Sequence, residues 1–385
     1  MLGMARSGQS AAALLERHGV QVVRVDRTLG NDGDTGLLDG VDVLVKSPGV
    51  PGGHLLVRVA RARAIPVWSE VELGYRLLGV DLVGVTGTNG KTTTTELLGA
   101  ILGARTAGNV GRALTGLEAE PGELVVCELS SFQLEDIEAL RCRVAVLVNL
   151  EPDHLDRHGT IEAYREAKLR IFENQEEDDT AVVPRGFPPV PGWGRRVEFH
   201  HEDPLPAEPR IPGAHNRENA AAATAAARAL GVPDERIAEV LAAFPGVPHR
   251  LELVGERRGV RYVNDSKATN VAAARRGLAA YAADPVHVIL GGSPKGEDFA
   301  PLVAAIGPNV RGVYLIGETA DELAAALGDR DAVRAGDLAT AVRLASEAAV
   351  EGDVVLLSPA CASFDQFEDF EQRGEEFRRL VANLV

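Results

Sequence analysis

A chain of 385 residues with a formal charge of −16 is too acidic for a general nucleic-acid binder, so an anionic substrate must be met by cations placed for it. Its 45% hydrophobic content supports real cores, no apolar run approaches the ~18 residues of a membrane span, and its length predicts two or three domains of ~150 residues. Cys127, Cys142 and Cys361 make no CxxC pair and no disulfide framework, and the opening residues lack a basic, then long apolar, leader, so a reducing cytoplasm is expected.

Residues 1–79 alternate apolar runs with helical stretches. Gly3 to Gly8 opens a helix over 11–17, strands are expected at 20–25, 41–45 and 65–68, and a second helix at 57–64. This is the pattern of a small doubly wound parallel sheet, which binds ligands at the carboxyl ends of its strands. The strand that should precede the first turn is represented only by Met1 and Leu2. Ala5 stands where a dinucleotide fingerprint has its middle glycine, so this turn alone reads equally as a nucleotide site or as packing.

Residues 80–247 form a second unit. A buried strand over 81–85 runs into Gly87-Thr88-Asn89-Gly90-Lys91-Thr92-Thr93 and then a helix through Leu97, Leu98 and Leu102. Strand, glycine loop, Gly-Lys-Thr, helix is the order of a phosphate-binding P-loop, in which Lys91 reaches the β/γ-phosphates and Thr92 meets Mg²⁺. A strand at 124–127 ends in Glu128, a carboxylate placed to hold that ion directly or through water. The strand at 144–150 leads to Asn149 and His154, and the helix over 161–172 carries Lys168. By their own positions His154 is either a metal ligand or a loop histidine, and Lys168 either functional or part of a solvated face. An acidic, proline-rich stretch follows, with short strands at 180–183 and 196–200, before an alanine-rich helix. There Asn216 and Asn219 share one face, as caps or as readers of a purine edge.

From residue 248 strands and helices alternate again. Polar clusters end the strands: Asn264 to Asn270, Gly291 to Lys295, and Ser358 to Asp365, before a final helix over 374–383. The fold class is therefore α/β, with three domains (1–79, 80–247, 248–385), each a mostly parallel sheet with flanking helices: Rossmann-like, P-loop, and Rossmann-like. Lysine is scarce, five against 35 arginines, and four of the five fall in these motifs. A lysine is then a candidate for work an arginine cannot do, such as a point charge or a reactive amine.

In this order, the P-loop, Glu128-Leu-Ser-Ser-Phe-Gln-Leu, Asn149-x-x-x-Asp-His154, His215-Asn-x-x-Asn219, His249-Arg-Leu-Glu252, Asn264-Asp-Ser-Lys-Ala-Thr-Asn270 and Leu357-Ser-Pro-Ala-Cys-Ala-Ser-Phe-Asp-Gln-Phe367 resemble the Mur ligases of bacterial cell-wall synthesis over essentially the whole chain. The series is most similar to the branch that joins D-glutamate to UDP-N-acetylmuramoyl-L-alanine. The resemblance implies ATP-dependent amide ligation through an acyl phosphate. ATP would lie on Gly87, Thr88, Asn89, Gly90, Lys91, Thr92 and Thr93, with Asn216 and Asn219 at adenine, Asp265 at ribose and Arg250 at the phosphates. Two Mg²⁺ ions would be held by Thr92, Glu128, His154 and a carbamylated Lys168, since carbamylation needs an uncharged primary amine. Lys91, Lys168, His154, Glu128 and Arg250 are the implied catalytic residues.

The resemblance further implies D-glutamate at Lys295, Lys267, Thr269, Ser363, Phe364 and Phe370. The nucleotide precursor would meet Arg6, Ser7, Asp26, Arg27, Ser47, Pro48, Gly49 and Asn109. The third domain would close over ATP about a hinge near 245–248. No nucleic acid, no membrane insertion and a monomer are expected. Alternatives are a relative adding another amino acid, including a folylpolyglutamate-type ligase, and a P-loop regulator without ligation. The Asp-Asn-Pro-Arg motif of the diamino-acid-adding relatives does not occur here.

Overall fold

The computed structural model describes residues 1–109, 111–211, 213–294 and 296–384, with backbone alone for 155 and 156. Its contacts group into two compact units, Met1–Pro209 with His215–Phe244, and Arg210–Ala214 with Pro245–Val385.

The first unit holds two sheets. In the smaller, β1 (Leu44–Lys46) pairs in parallel with β2 (Val67–Ser69). Leu2 bridges Lys46 on one side and Val25 on the other, both in parallel, so residues 1–3 run where the opening strand of such a sheet runs. The expected strand at 20–25 shrinks to that one bridge, because Val20 and Val23 are exposed and have no core to enter. α1 (Arg6–Arg17) begins five residues before the expected start. It buries Ala11, Ala12, Leu14 and Leu15 on one stripe. α2 (Leu55–Ala62) and α3 (Glu70–Leu78) follow. Ser69 caps α3 by accepting from the Glu72 amide, and Gly79 ends it in the left-handed region.

The larger sheet has the order β4 (Arg105–Gly108), β5 (Leu124–Glu128), β3 (Asp81–Thr86), β6 (Cys142–Leu147), β7 (Thr180–Pro184), β8 (Arg195–Phe199), all parallel. β3 lies between β5 and β6 and is buried on both faces, as its unbroken apolar run requires. Loops leaving these three central strands therefore meet at one end of the sheet. Around them stand α4 (Lys91–Leu102), α5 (Ser131–Leu134), α6 (Leu155–His158), α7 (Ile161–Leu169), α8 (Ala214–Ala229) and α9 (Asp234–Ala243).

The second unit is one sheet, β13 (Val333–Gly336), β12 (Val310–Ile316), β11 (Val286–Gly291), β14 (Val354–Leu357), β10 (Val260–Asn264), β9 (Glu252–Arg257), parallel except for β9. α10 (Val271–Ala280), α11 (Ala300–Ala305), α12 (Ala320–Leu327), α13 (Leu338–Ala348) and α14 (Phe370–Ala382) cover it. Alternate residues of β11 feed opposite cores: Val288 and Leu290 join Leu278 and Leu302, while Ile289 joins Val342 and Phe377. α14 starts at Phe370, four residues earlier than expected, because Asp369 caps it on the Gln372 amide.

Candidate active site

β3 enters α4 through residues 87–90, and Gly90 caps the helix at φ 78°. A Cβ there would also stand 2.1 Å from the Asn219 side-chain oxygen, so glycine is required by conformation and by space. No side chain caps α4, which leaves its first N–H groups to face an anion. The segment leaving β6 clamps the loop. Thr88 N donates to Asn149 O (3.1 Å) and Asn89 N to Asn149 Oδ1 (2.8 Å). Glu151 N donates to Thr88 Oγ1 (2.9 Å), and Asn89 Nδ2 to Glu151 Oε2 (2.9 Å). Lys91 Nζ folds back on the Gly87 and Thr88 carbonyls, 2.9 Å from each. Thr92 and Thr93 are buried in the first turn. Asn216 and Asn219, also buried, are linked at 3.4 Å beside Gly90.

α7 carries Tyr164 and Lys168 one turn apart on its buried face. Tyr164 donates to Thr88 Oγ1 (3.0 Å), and burial pushes its phenol up to about 12. Lys168 Nζ lies 4.7 Å from the centre of that ring and donates to Gly87 O at 2.7 Å. The side chain is 2% exposed, and burial, reinforced by the Lys91 charge, lowers its pKa to about 6. Asp153 and Glu128 oppose that shift without cancelling it. Lys168 is therefore a neutral amine at neutral pH, bonded to the same carbonyl as the P-loop lysine. The solvated-face alternative does not hold for it.

Glu128 is buried at the end of β5 and accepts from Asn109 Nδ2 at 3.0 Å. His154 is exposed, at φ 51°, with its ring 5.0 Å from Phe132 and 6.3 Å from Tyr164. The Glu128 charge acts on Lys168, and His154 and Lys168 border the same Tyr164 ring. Among the described residues no three His, Cys, Asp or Glu side chains converge to hold a metal by themselves. A divalent ion fits this donor set only if further oxygens, from nucleotide phosphates or a carbamate on Lys168, complete it.

In the smaller sheet, Ser47 Oγ donates to Gly3 O (2.7 Å) and lies 3.4 Å from Ser7 Oγ. Gly8 packs on the Gly3 carbonyl so tightly that a Cβ would be 1.8 Å from it, which explains this glycine pair through packing. Asp26 accepts from Met4 N and from the Thr28 amide and hydroxyl, which hold its carboxyl below the usual range. Pro48 is half-buried, while Gly49, Arg6 and Arg27 are exposed.

In the second unit, Asp265 turns inward. Its carboxylate accepts from Ser358 Oγ (2.7 Å) and Leu251 N (3.3 Å), and burial raises its pKa to about 7 despite the Arg250 charge. His249 and Leu251 flank Arg250 at φ 62° and 46°, left-handed conformations that side chains rarely adopt. Lys267 Nζ is 5.8 Å from the Phe370 ring, and Thr269 N donates to Lys267 O. Ser363 is buried and Phe364 is 72% exposed. Lys295 lies outside the described residues. Arg373 ties these loops together: it donates to Ser266 Oγ (2.9 Å), Ser266 O (2.9 Å), Cys361 O (3.2 Å) and Ala362 O (3.1 Å). Burial lowers its pKa to about 10.

Residues 85–189 match the model of the Mur ligase middle domain, and residues 249–361 that of the Mur ligase glutamate ligase domain. The UDP-N-acetylmuramoylalanine–D-glutamate ligase of Anaeromyxobacter dehalogenans is 43% identical over 99% of this chain and 96% of its own length. That of Myxococcus xanthus is 42% identical over 100% and 98%. The chain belongs to the Mur ligase family. Solved Mur ligases share its fold: UDP-N-acetylmuramate–alanine ligase MurC of Thermotoga maritima (TM-score 0.64, 18% identity, 99% of this chain and 98% of that one) and MurF of the same organism with ADP (0.62, 19%, 90% and 97%).

For this Mur ligase, reading by motif passes over Tyr164, Glu151 and Arg373. Tyr164 has a signal, its four-residue spacing from Lys168 on one helix face. Arg373 has none, since nothing in the final helix distinguishes a buried arginine from its exposed neighbours.

Proposed function

We propose that this Mur ligase joins D-glutamate to UDP-N-acetylmuramoyl-L-alanine at the expense of ATP. The choice of substrates is supported by the names of its full-length relatives, and the chemistry by one observation: the buried amine of Lys168 on the Gly87 carbonyl, where burial lowers its pKa to about 6. An oxygen of the alanyl carboxylate attacks the γ-phosphorus and ADP leaves. The D-glutamate nitrogen then attacks the acyl carbon, and inorganic phosphate leaves as the amide forms and a proton is shed. Both steps join anions or crowd charge, so the protein's work is neutralisation and in-line positioning.

In this reading Lys91 and residues 87–93 take the ATP phosphates, Asn216 and Asn219 the base, and Asn109 orients the acceptor beside Glu128. Thr92, Glu128, His154 and a carbamate on Lys168 would hold Mg²⁺, which when bound neutralises the phosphate oxygens. We assign residues 1–79 to the nucleotide precursor through Arg6, Ser7, Asp26, Arg27, Ser47, Pro48 and Gly49. Residues 80–247 take ATP. Residues 248–385 bind the amino acid through Lys267, Thr269, Lys295, Ser363, Phe364 and Phe370 and supply Arg250 for ATP, while Asp265 must leave its bonds to Ser358 and Leu251 to meet the ribose. The enzyme then acts in the cytoplasm, as a monomer; among the described residues no helix is long and apolar enough to cross a membrane.

Phosphate release from ATP tests the reading. It should require both UDP-N-acetylmuramoyl-L-alanine and D-glutamate. Release with another amino acid in place of D-glutamate, or a nucleotide complex that never releases phosphate, would overturn it.

A further inference from the structure

The carbonyl of Val50 accepts from two cations, Arg157 Nη2 at 2.9 Å and Lys46 Nζ at 3.2 Å. Val50 closes a turn on Ser47, whose hydroxyl is bonded to Gly3, so this carbonyl is the far end of the 47–50 loop. The guanidinium carbon of Arg157 itself lies over Phe132, 3.8 Å from the ring centre. Phe132 in turn faces His154 at 5.0 Å and stacks on His158 at 5.3 Å with 13° between planes. His158 bonds Ser131 Oγ at 3.0 Å, three residues beyond Glu128, and pairs with Glu135 at 3.3 Å. Lys46 closes the circuit on Asp136 at 2.8 Å. One guanidinium thus joins the loop at the end of β1 to the aromatic wall under His154, through a hydrogen bond to one and its charge over the ring of the other.

We propose that Arg157 is a positioning residue that couples the 47–50 loop to the His154 turn, so that the nucleotide precursor, on binding the loop, raises the affinity of the P-loop for ATP. The proposal rests on the function given above. A ligand that orders residues 47–49 fixes the Val50 carbonyl, and through Arg157 it fixes Phe132 and the turn that holds His154 at φ 51°. That turn begins at Asn149 and Glu151, which clamp Thr88 and Asn89, so its order is felt at the phosphates.

The test is calorimetric binding of a non-hydrolysable ATP analogue, with and without UDP-N-acetylmuramoyl-L-alanine, to the full chain and to Arg157→Met. The natural chain should bind the analogue about fivefold or more tightly when the precursor is present. Arg157→Met should lose that enhancement and keep its precursor-free affinity within about twofold. A variant that retains the enhancement, or that binds the analogue equally more weakly with and without precursor, overturns the proposal. Should Arg157→Met fail to fold, Phe132→Leu removes the ring while leaving the Val50 bond, and must show the same loss. A natural chain with no enhancement also overturns the coupling, and leaves the ligase reading standing if phosphate release still needs both substrates.

Discussion

The chemistry proposed for Lys168 turns on its protonation, which gives it a measurable signature. An ordinary lysine at pH 7 is neutral in about one molecule in 3,000; with a pKa of about 6, Lys168 is neutral in about nine of ten. The gain comes from burial and from Lys91, and the charge appears only as pH falls through about 6. At fixed dissolved CO2, the rate at which CO2-free enzyme acquires a carbamate should therefore rise about tenfold from pH 5 to 7 and then flatten. Carbon-13 NMR with labelled bicarbonate reads the carbamate directly, and the onset of activity reads it indirectly. A rate still climbing about tenfold from pH 7 to 8 would mean an ordinary lysine and would refute the reasoning. Lys168→Ala should be inactive and partly rescued by short carboxylic acids, which supply the missing carboxylate. Unimpaired activity in Lys168→Ala, or no rescue, would count against the carbamate.

The same shift predicts a stability slope. In CO2-free buffer the unfolded chain keeps a proton on Lys168 between pH 6 and 10.5 that the folded chain has lost, so folding stability should rise across that window by up to about 1.4 kcal/mol per unit. Lys168→Met should lack this component, as urea unfolding at several pH values would reveal. Gly90→Ala puts a methyl against Asn219 in a left-handed cap, so it should weaken binding of an ATP analogue by roughly tenfold or more and lower the melting temperature by a few degrees. Arg373→Met strips hydrogen bonds from Ser266, Cys361 and Ala362, which should cost on the order of 3 kcal/mol. It should also raise the KM for D-glutamate more than that for ATP in steady-state kinetics.

What could be read from the sequence follows from how local each feature is. The P-loop, the cap at Gly90 and the buried run of β3 are set by neighbours in the chain, and they appear where the residues place them. The strand at 20–25 is the opposite case. Its run of valines suits a strand, yet Val20 and Val23 stay outside the core, because residue type states a preference and only tertiary packing can fulfil it. Asp265 shows the same limit at a site. Its motif carries it to the end of β10, but the sequence is silent on which way a carboxylate there will turn, and Ser358 and Leu251 take it inward. Lys168 differs from both. Its residue type was informative because arginine serves nearly everywhere else. What the sequence lacked was the solvent boundary: the 2% exposure depends on Gly87, 81 residues away in the chain, as well as on Tyr164 of the same helix. A scarce residue type pointed to the group, and burial made it an amine.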